Sequence, residues 1–92
     1  MVTRPLRFAG AALKLNFSSA AAGGIRVEIQ NEEGRPIPGH TLNQSQPIYG
    51  DALDRKVTWK KGSDVSALQG RPVRLRFVLQ DADLFALRFG EA

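Results

Sequence analysis

The stretch WKKGSDVSALQGRPVRLRFVLQDADLFALRF, residues 59–89, decides how this chain is read. Within it Val73, Leu75, Phe77 and Leu79 alternate with Arg74, Arg76, Val78 and Gln80. Alternation at period two is what a strand with one buried and one wet face produces. The polar tripeptide Asp81-Ala82-Asp83 follows, and then a second run carries Phe85, Leu87 and Phe89 on one side and Leu84, Ala86 and Arg88 on the other. Short turn-forming residues between two alternating runs predict a β-hairpin. Upstream, residues 62–70 are bounded by glycines and rich in side chains that bond their own backbone, which predicts a loop with one helical turn at residues 64–68.

Outward from that stretch the same pattern recurs. Leu6 and Phe8 flank Arg7, and Leu13, Leu15 and Phe17 alternate with Lys14, Asn16 and Ser18. Ile25, Val27 and Ile29 face away from Arg26, Glu28 and Gln30. The segment between these two runs, residues 18–24, ends in paired glycines that cost about 1 kcal/mol each in a helix interior, so a connecting loop is expected there. Asn31-Glu32-Glu33-Gly34 reads as a turn whose glycine can take positive φ. Pro36 and Pro38 cannot donate to a ladder, which assigns Ile37 to an edge or an extended connection. Residues 41–47 read as a polar surface loop, residues 48–50 as a brief strand and residues 51–54 as a turn, after which Val57 and Trp59 share a strand face.

The sum is an all-β chain of seven or eight short strands with turn signals at the spacing of sandwiches and barrels. An antiparallel β-sandwich of jelly-roll or galactose-binding-like topology is expected. A small closed barrel that binds single-stranded nucleic acid is the alternative. At 92 residues the chain is one domain, able to bury roughly two-thirds of its unfolded surface. Its immediate strand-like entry at Thr3-Arg4-Pro5-Leu6 and its end just after Phe89 suggest a domain excised from a longer protein.

The formal net charge is +4, with thirteen basic and nine acidic residues. The basic residues are spread from Arg4 to Arg88 with only one short cluster, Arg55-Lys56 and Lys60-Lys61, and the phenylalanines sit on the face opposite the arginines. Single-strand binders need aromatic rings within a basic groove, so nucleic acid is not the expected partner. No apolar run approaches the ~20 residues that cross a bilayer, and the start has no apolar signal segment.

Across residues 50–59 (GDALDRKVTW), 62–68 (GSDVSAL), 70–77 (GRPVRLRF) and 81–85 (DADLF) the chain resembles a known module. It is similar to the β-sandwich domain at the C-terminal end of secreted bacterial proteins, many from planctomycete-type bacteria, related to levanase- and invertase-like glycoside hydrolases. Residues 13–17 (LKLNF), 25–30 (IRVEIQ) and 34–39 (GRPIPG) extend the resemblance from about Arg4 to Phe89. It implies a non-catalytic accessory module, because in that enzyme class the catalytic carboxylates lie on a separate propeller domain. It further implies a secreted or periplasmic parent protein with an adjacent catalytic domain as partner, but supplies no ligand-binding motif; polysaccharide is the ligand suggested by analogy with other sandwich modules on glycosidases.

The residues agree with a non-enzymatic reading. The single histidine, His40, lies in a loop, and no nucleophile elbow, phosphate-binding loop or two-histidine metal spacing exists. Asp81 with Asp83 suits a turn better than a glycosidase pair. Neither that pair nor Asp51 with Asp54 has the spacing of a calcium loop, so no metal or other cofactor is expected. By alternation Phe8, Phe17, Phe77, Phe85 and Phe89 are core, and Trp59 joins Val57 in it. Tyr49, beside Gly50 and after a polar loop, is the aromatic left for solvent. Carbohydrate-binding candidates are therefore Tyr49, His40, Asn43 and Gln44, an aromatic platform with polar neighbours.

Overall fold

A computed structural model describes residues 1–91, and the side chains of all of these except residues 51–53. The architecture is all-β. Strands β1 (Ala12–Asn31), β2 (Asp51–Lys56) and β3 (Val73–Gly90) form one antiparallel sheet in the order β2-β1-β3. Two 3₁₀ turns, Leu42–Gln44 and Ser66–Leu68, complete the regular structure among the described residues. Instead of seven or eight short strands there are three among the described residues, two of them very long, with other segments tied to their edges by isolated bridges such as Leu6 to Val73 and Ile48 to Ile25.

The expected hairpin at Asp81-Ala82-Asp83 is corrected: β3 runs straight through it. Both halves of β3 pair with the same strand, β1, and each break in one strand meets a break in the other. Ser19 pairs with Ala82 and Gly24 with Gln80, so residues 20–23 bulge opposite the single Asp81. Asp81 accommodates this with φ +47°, a conformation that aspartate tolerates better than most side chains. The expected loop at residues 18–24 thus survives as an outsized bulge inside β1.

That bulge is where the ribbon turns. At about 3.3 Å per residue an 18-residue strand would extend roughly 60 Å, yet the longest dimension of the molecule is 34 Å. The β1–β3 ribbon is therefore folded back on itself, and its two halves feed one core. Leu13, Leu15 and Phe17 from one half join Ile25, Val27, Ile29, Val73, Leu75 and Phe77 from the other, all at most 2% exposed.

Phe85 is a second correction. Asn16 pairs with Ala86 and Phe17 with Leu84, which leaves Phe85 as an extra residue with no partner on β1. A residue inserted in this way shifts the alternation by one. Phe85 is 69% exposed, while Leu84, Leu87 and Phe89 pack against the core. Leu79, next to the other bulge, is also partly exposed. Residues 51–54, expected as a turn, begin β2 instead, and a bulge opposite Asn16 leaves Asp54 at φ +53° with its N–H on the Asn16 Oδ1.

The edge of β1 away from β3 holds the connection between β1 and β2. Ile25 exchanges two backbone hydrogen bonds with Ile48, and Ile29 bonds Ile37 and His40. Between them Val27 has no backbone partner on that side among the described residues. Its N–H donates to Ser45 Oγ at 3.0 Å, and its carbonyl accepts the indole N–H of Trp59 at 2.9 Å. Trp59 is 1% exposed, so the core position expected for it is observed. On the opposite face Glu28 and Gln30, expected to be wet, are buried beneath the same connection. Glu28 accepts hydrogen bonds from Gln30 Nε2 and the Leu42 N–H, with the Arg76 guanidinium 3.7 Å away.

Trp59→Phe should cost about 2–4 kcal/mol, since it removes volume and orphans a buried carbonyl. Ser45→Ala should cost about 1–3 kcal/mol by orphaning the Val27 N–H. Urea unfolding checks both, and two unchanged midpoints would show that Val27 does not depend on these side chains. The bulge tolerates no side chain at Gly23, where a Cβ would collide with the Gln80 carbonyl oxygen. Gly23→Ala should therefore destabilise by about 1–3 kcal/mol in the same assay.

Candidate functional site

Ile48 is held by its two bonds to Ile25, and Gly50 is held by Ser19, which donates its N–H to the Gly50 carbonyl and accepts the Gly50 N–H on Oγ at 2.8 Å. Tyr49 stands between these two anchors. Because Ile48 points inward at 3% exposure, the next side chain points out, and Tyr49 is 61% exposed. The backbone under the ring is pinned on both sides, so the point from which the phenol projects is fixed.

Beside it lies an open cleft of about 410 Å³. Its floor is the small-residue bulge of β1, residues 21–24, and its walls are Pro47 and Tyr49 on one side and Arg26, Val78 and Gln80 on the other. Arg26 and Val78 are direct cross-strand partners, as are Gly24 and Gln80. The cleft thus combines an aromatic ring, a guanidinium, a carboxamide and a stretch of backbone unobstructed by side chains. Such a mixture of apolar wall and few polar groups suits the binding of a small polar ligand.

The four residues expected to bind together are not gathered in one place. Tyr49 lines this cleft, Asn43 lines a concavity of about 390 Å³ with Glu28 and Arg76, and His40 lines one of about 320 Å³ with Lys61 and Asp64. Gln44 is occupied locally: its Oε1 accepts the Thr41 hydroxyl at 3.0 Å and closes the first 3₁₀ turn. His40 packs its ring edge-on against Trp59, with centroids 4.8 Å apart, and Nε2 lies 3.2 Å from the Asp64 carbonyl. A carbonyl only accepts, so Nε2 carries the proton, and the enclosed Nδ1 has no hydrogen-bond partner among the described residues. That arrangement braces the tryptophan and the loop at residues 62–65.

Arg26, Val78 and Gln80 were not candidates in the sequence. Each sits at a wet position of an alternating run, and only the pairing of β1 with β3 brings them beside Tyr49. Compared with known protein families, curated proteins and solved structures, the chain matches none.

Acids elsewhere have structural work. Arg88 Nε donates to Asp54 Oδ1 at 2.8 Å, which lowers the carboxyl pKa and raises that of the guanidinium. Asp64 is lowered by hydrogen bonds from Ser66, chiefly the backbone N–H. Asp81 and Asp83 belong to the bulge and the strand beyond it. The Asp51 side chain lies outside the described residues, so the pair Asp51 and Asp54 is described only through Asp54.

Both Asp54 and Asp64 are more acidic folded than their ordinary value of 3.8. Their contribution is complete above that value and is lost as pH falls through the lower folded values. Both are exposed, so the effect is small. Melting temperature followed from neutral pH downward should fall less steeply in Asp54→Asn than in the parent, and an unchanged acid limb would show that the Arg88 pair contributes nothing.

Proposed function

We propose that this chain is a non-catalytic accessory module of a secreted or periplasmic glycoside-hydrolase-like protein, which binds carbohydrate weakly at the Tyr49 cleft while packing beside its catalytic domain. The observation that carries the binding half is the exposed Tyr49 ring, on a backbone held at both neighbours, beside Arg26 and Gln80. Sugars expose C–H groups on one face and hydroxyls around the rim. An aromatic ring stacks on the first, while a guanidinium and a carboxamide bond the second. The accessory role rests on the resemblance of nearly the whole chain to such modules.

The sandwich topology belongs to the same proposal. It is supported by the folded ribbon, whose two halves contribute side chains to a common core, and by the resemblance to a β-sandwich domain; the jelly-roll or galactose-binding-like form is the one that the strand pattern of the sequence suggests. His40, Asn43 and Gln44 are not assigned to the ligand, because each lies away from Tyr49 in a concavity or hydrogen bond of its own.

Affinity electrophoresis of the 92-residue chain through gels of soluble polysaccharides tests this. Retention should be lost in Tyr49→Ala by about tenfold or more, equivalent to ~1.4 kcal/mol, while His40→Ala and Asn43→Ala retain it. If the parent is retained and Tyr49→Ala is retained equally, the cleft is the wrong site. If no polysaccharide retains the parent, only the domain-packing role survives.

A further inference from the structure

The outer edge of β3 is covered for only part of its length. Met1, Thr3 and Leu6 bond Phe77, Leu75 and Val73, and beyond Phe77 the edge makes no backbone hydrogen bond to another segment until Gly90, among the described residues. Which groups point outward follows from β1. The Leu13 carbonyl accepts the Val57 N–H and the Ser19 N–H donates to Gly50, so these odd-numbered positions direct their backbone groups away from β3. Their β3 partners in turn direct theirs away from β1. The partners are Ala82, Leu84, Leu87 and Phe89.

The spacing of those four is uneven because Phe85 is an extra residue. A bulge normally spoils a strand edge as a template, since an incoming regular strand has no residue to match it. One strand does have it: β3 of a second copy. A two-fold axis between Phe85 and Ala86 pairs Ala82 with Phe89 and Leu84 with Leu87, so each of these four residues meets another and the bulges face each other. The same register sets Asp83 opposite Arg88 twice. Both side chains are exposed, and Arg88, whose Nε in the single chain reaches over β1 to Asp54, turns its guanidinium to the carboxylate across the new seam. It also covers Phe85, the most exposed large apolar side chain among the described residues.

We propose that the chain forms a two-fold dimer by antiparallel pairing of β3 with β3 of a second copy, centred between Phe85 and Ala86. The six-stranded sheet that results leaves the Tyr49 cleft to each copy separately, so this proposal stands or falls apart from carbohydrate binding. The self-matching register of backbone groups, bulges and charges selects a second copy over an unrelated extended segment.

Sedimentation of the full chain over a range of concentrations reads the association. The parent should be dimeric at high concentration, and its Ala82, Leu84, Leu87 and Phe89 amides should gain exchange protection as the dimer forms. Asp83→Arg and Arg88→Asp should each be monomeric, and an equal mixture of the two should form a heterodimer, because each reversed charge then faces its opposite. Circular dichroism confirms that each variant is folded. A parent that stays monomeric, a dimer indifferent to both reversals, or a mixture that stays monomeric would each overturn the proposal.

Discussion

The middle of β1 depends on two side chains standing in for a missing strand. At Val27 the neighbouring chain has moved away from the sheet, and a buried N–H and carbonyl without partners would cost about 1–3 kcal/mol each. Ser45 and Trp59 satisfy them. Once the indole is committed to that carbonyl, its ring must lie across the core, His40 must pack on its edge, and the connection from β1 to β2 is drawn over the sheet. Glu28 is buried as a consequence, and its hydrogen bonds to Gln30 and Leu42 hold the same connection from the other face. One irregularity in the hydrogen bonding of one strand thus links the placement of Glu28, His40, Ser45 and Trp59.

The alternating runs were legible because burial on one face leaves a period of two whatever the topology. Val73, Leu75, Phe77, Leu13, Leu15, Phe17, Ile25, Val27 and Ile29 are all buried as their spacing requires. The breaks between runs were legible too, at residues 18–24 and 81–83, where glycine and aspartate interrupt the pattern. What composition could not convey is that the two breaks face each other. A turn-forming sequence between two strands has the same local chemistry whether the chain reverses there or bulges and bends, and the choice is made by the pairing partner some sixty residues away. Phe85 is misjudged for a related reason: it is itself the inserted residue, so Leu84 takes the core position that simple alternation back from Leu87 and Phe89 gives to Phe85.

The candidate site is a by-product of the same bend. Residues 20–23 leave the ladder, small side chains keep the opening clear, and Tyr49 is set on its rim by the bond between Ile48 and Ile25. Exposure of Tyr49 could be read from the sequence because it follows a polar loop and precedes a glycine. Its neighbours could not, since Arg26 and Val78 meet only through the register of β1 on β3. His40 and Gln44 share a loop with Tyr49 in the sequence, but each is held by bonds of its own. Nearness along an irregular segment is a poor guide to nearness in space.

The long pairing of β1 with β3 also governs how the molecule must assemble. Its nearest paired ends are Asn31 with Val73, and its farthest are Ala12 with Gly90. The amino terminus closes onto Phe77, a separation of 76 residues. None of these contacts is rewarded until a long loop has been closed, and chains built from such contacts fold slowly for their size. Of the three strands the one that the central strand requires is synthesised last, so β1 stays unpaired along the edge that β3 will occupy until β3 has emerged.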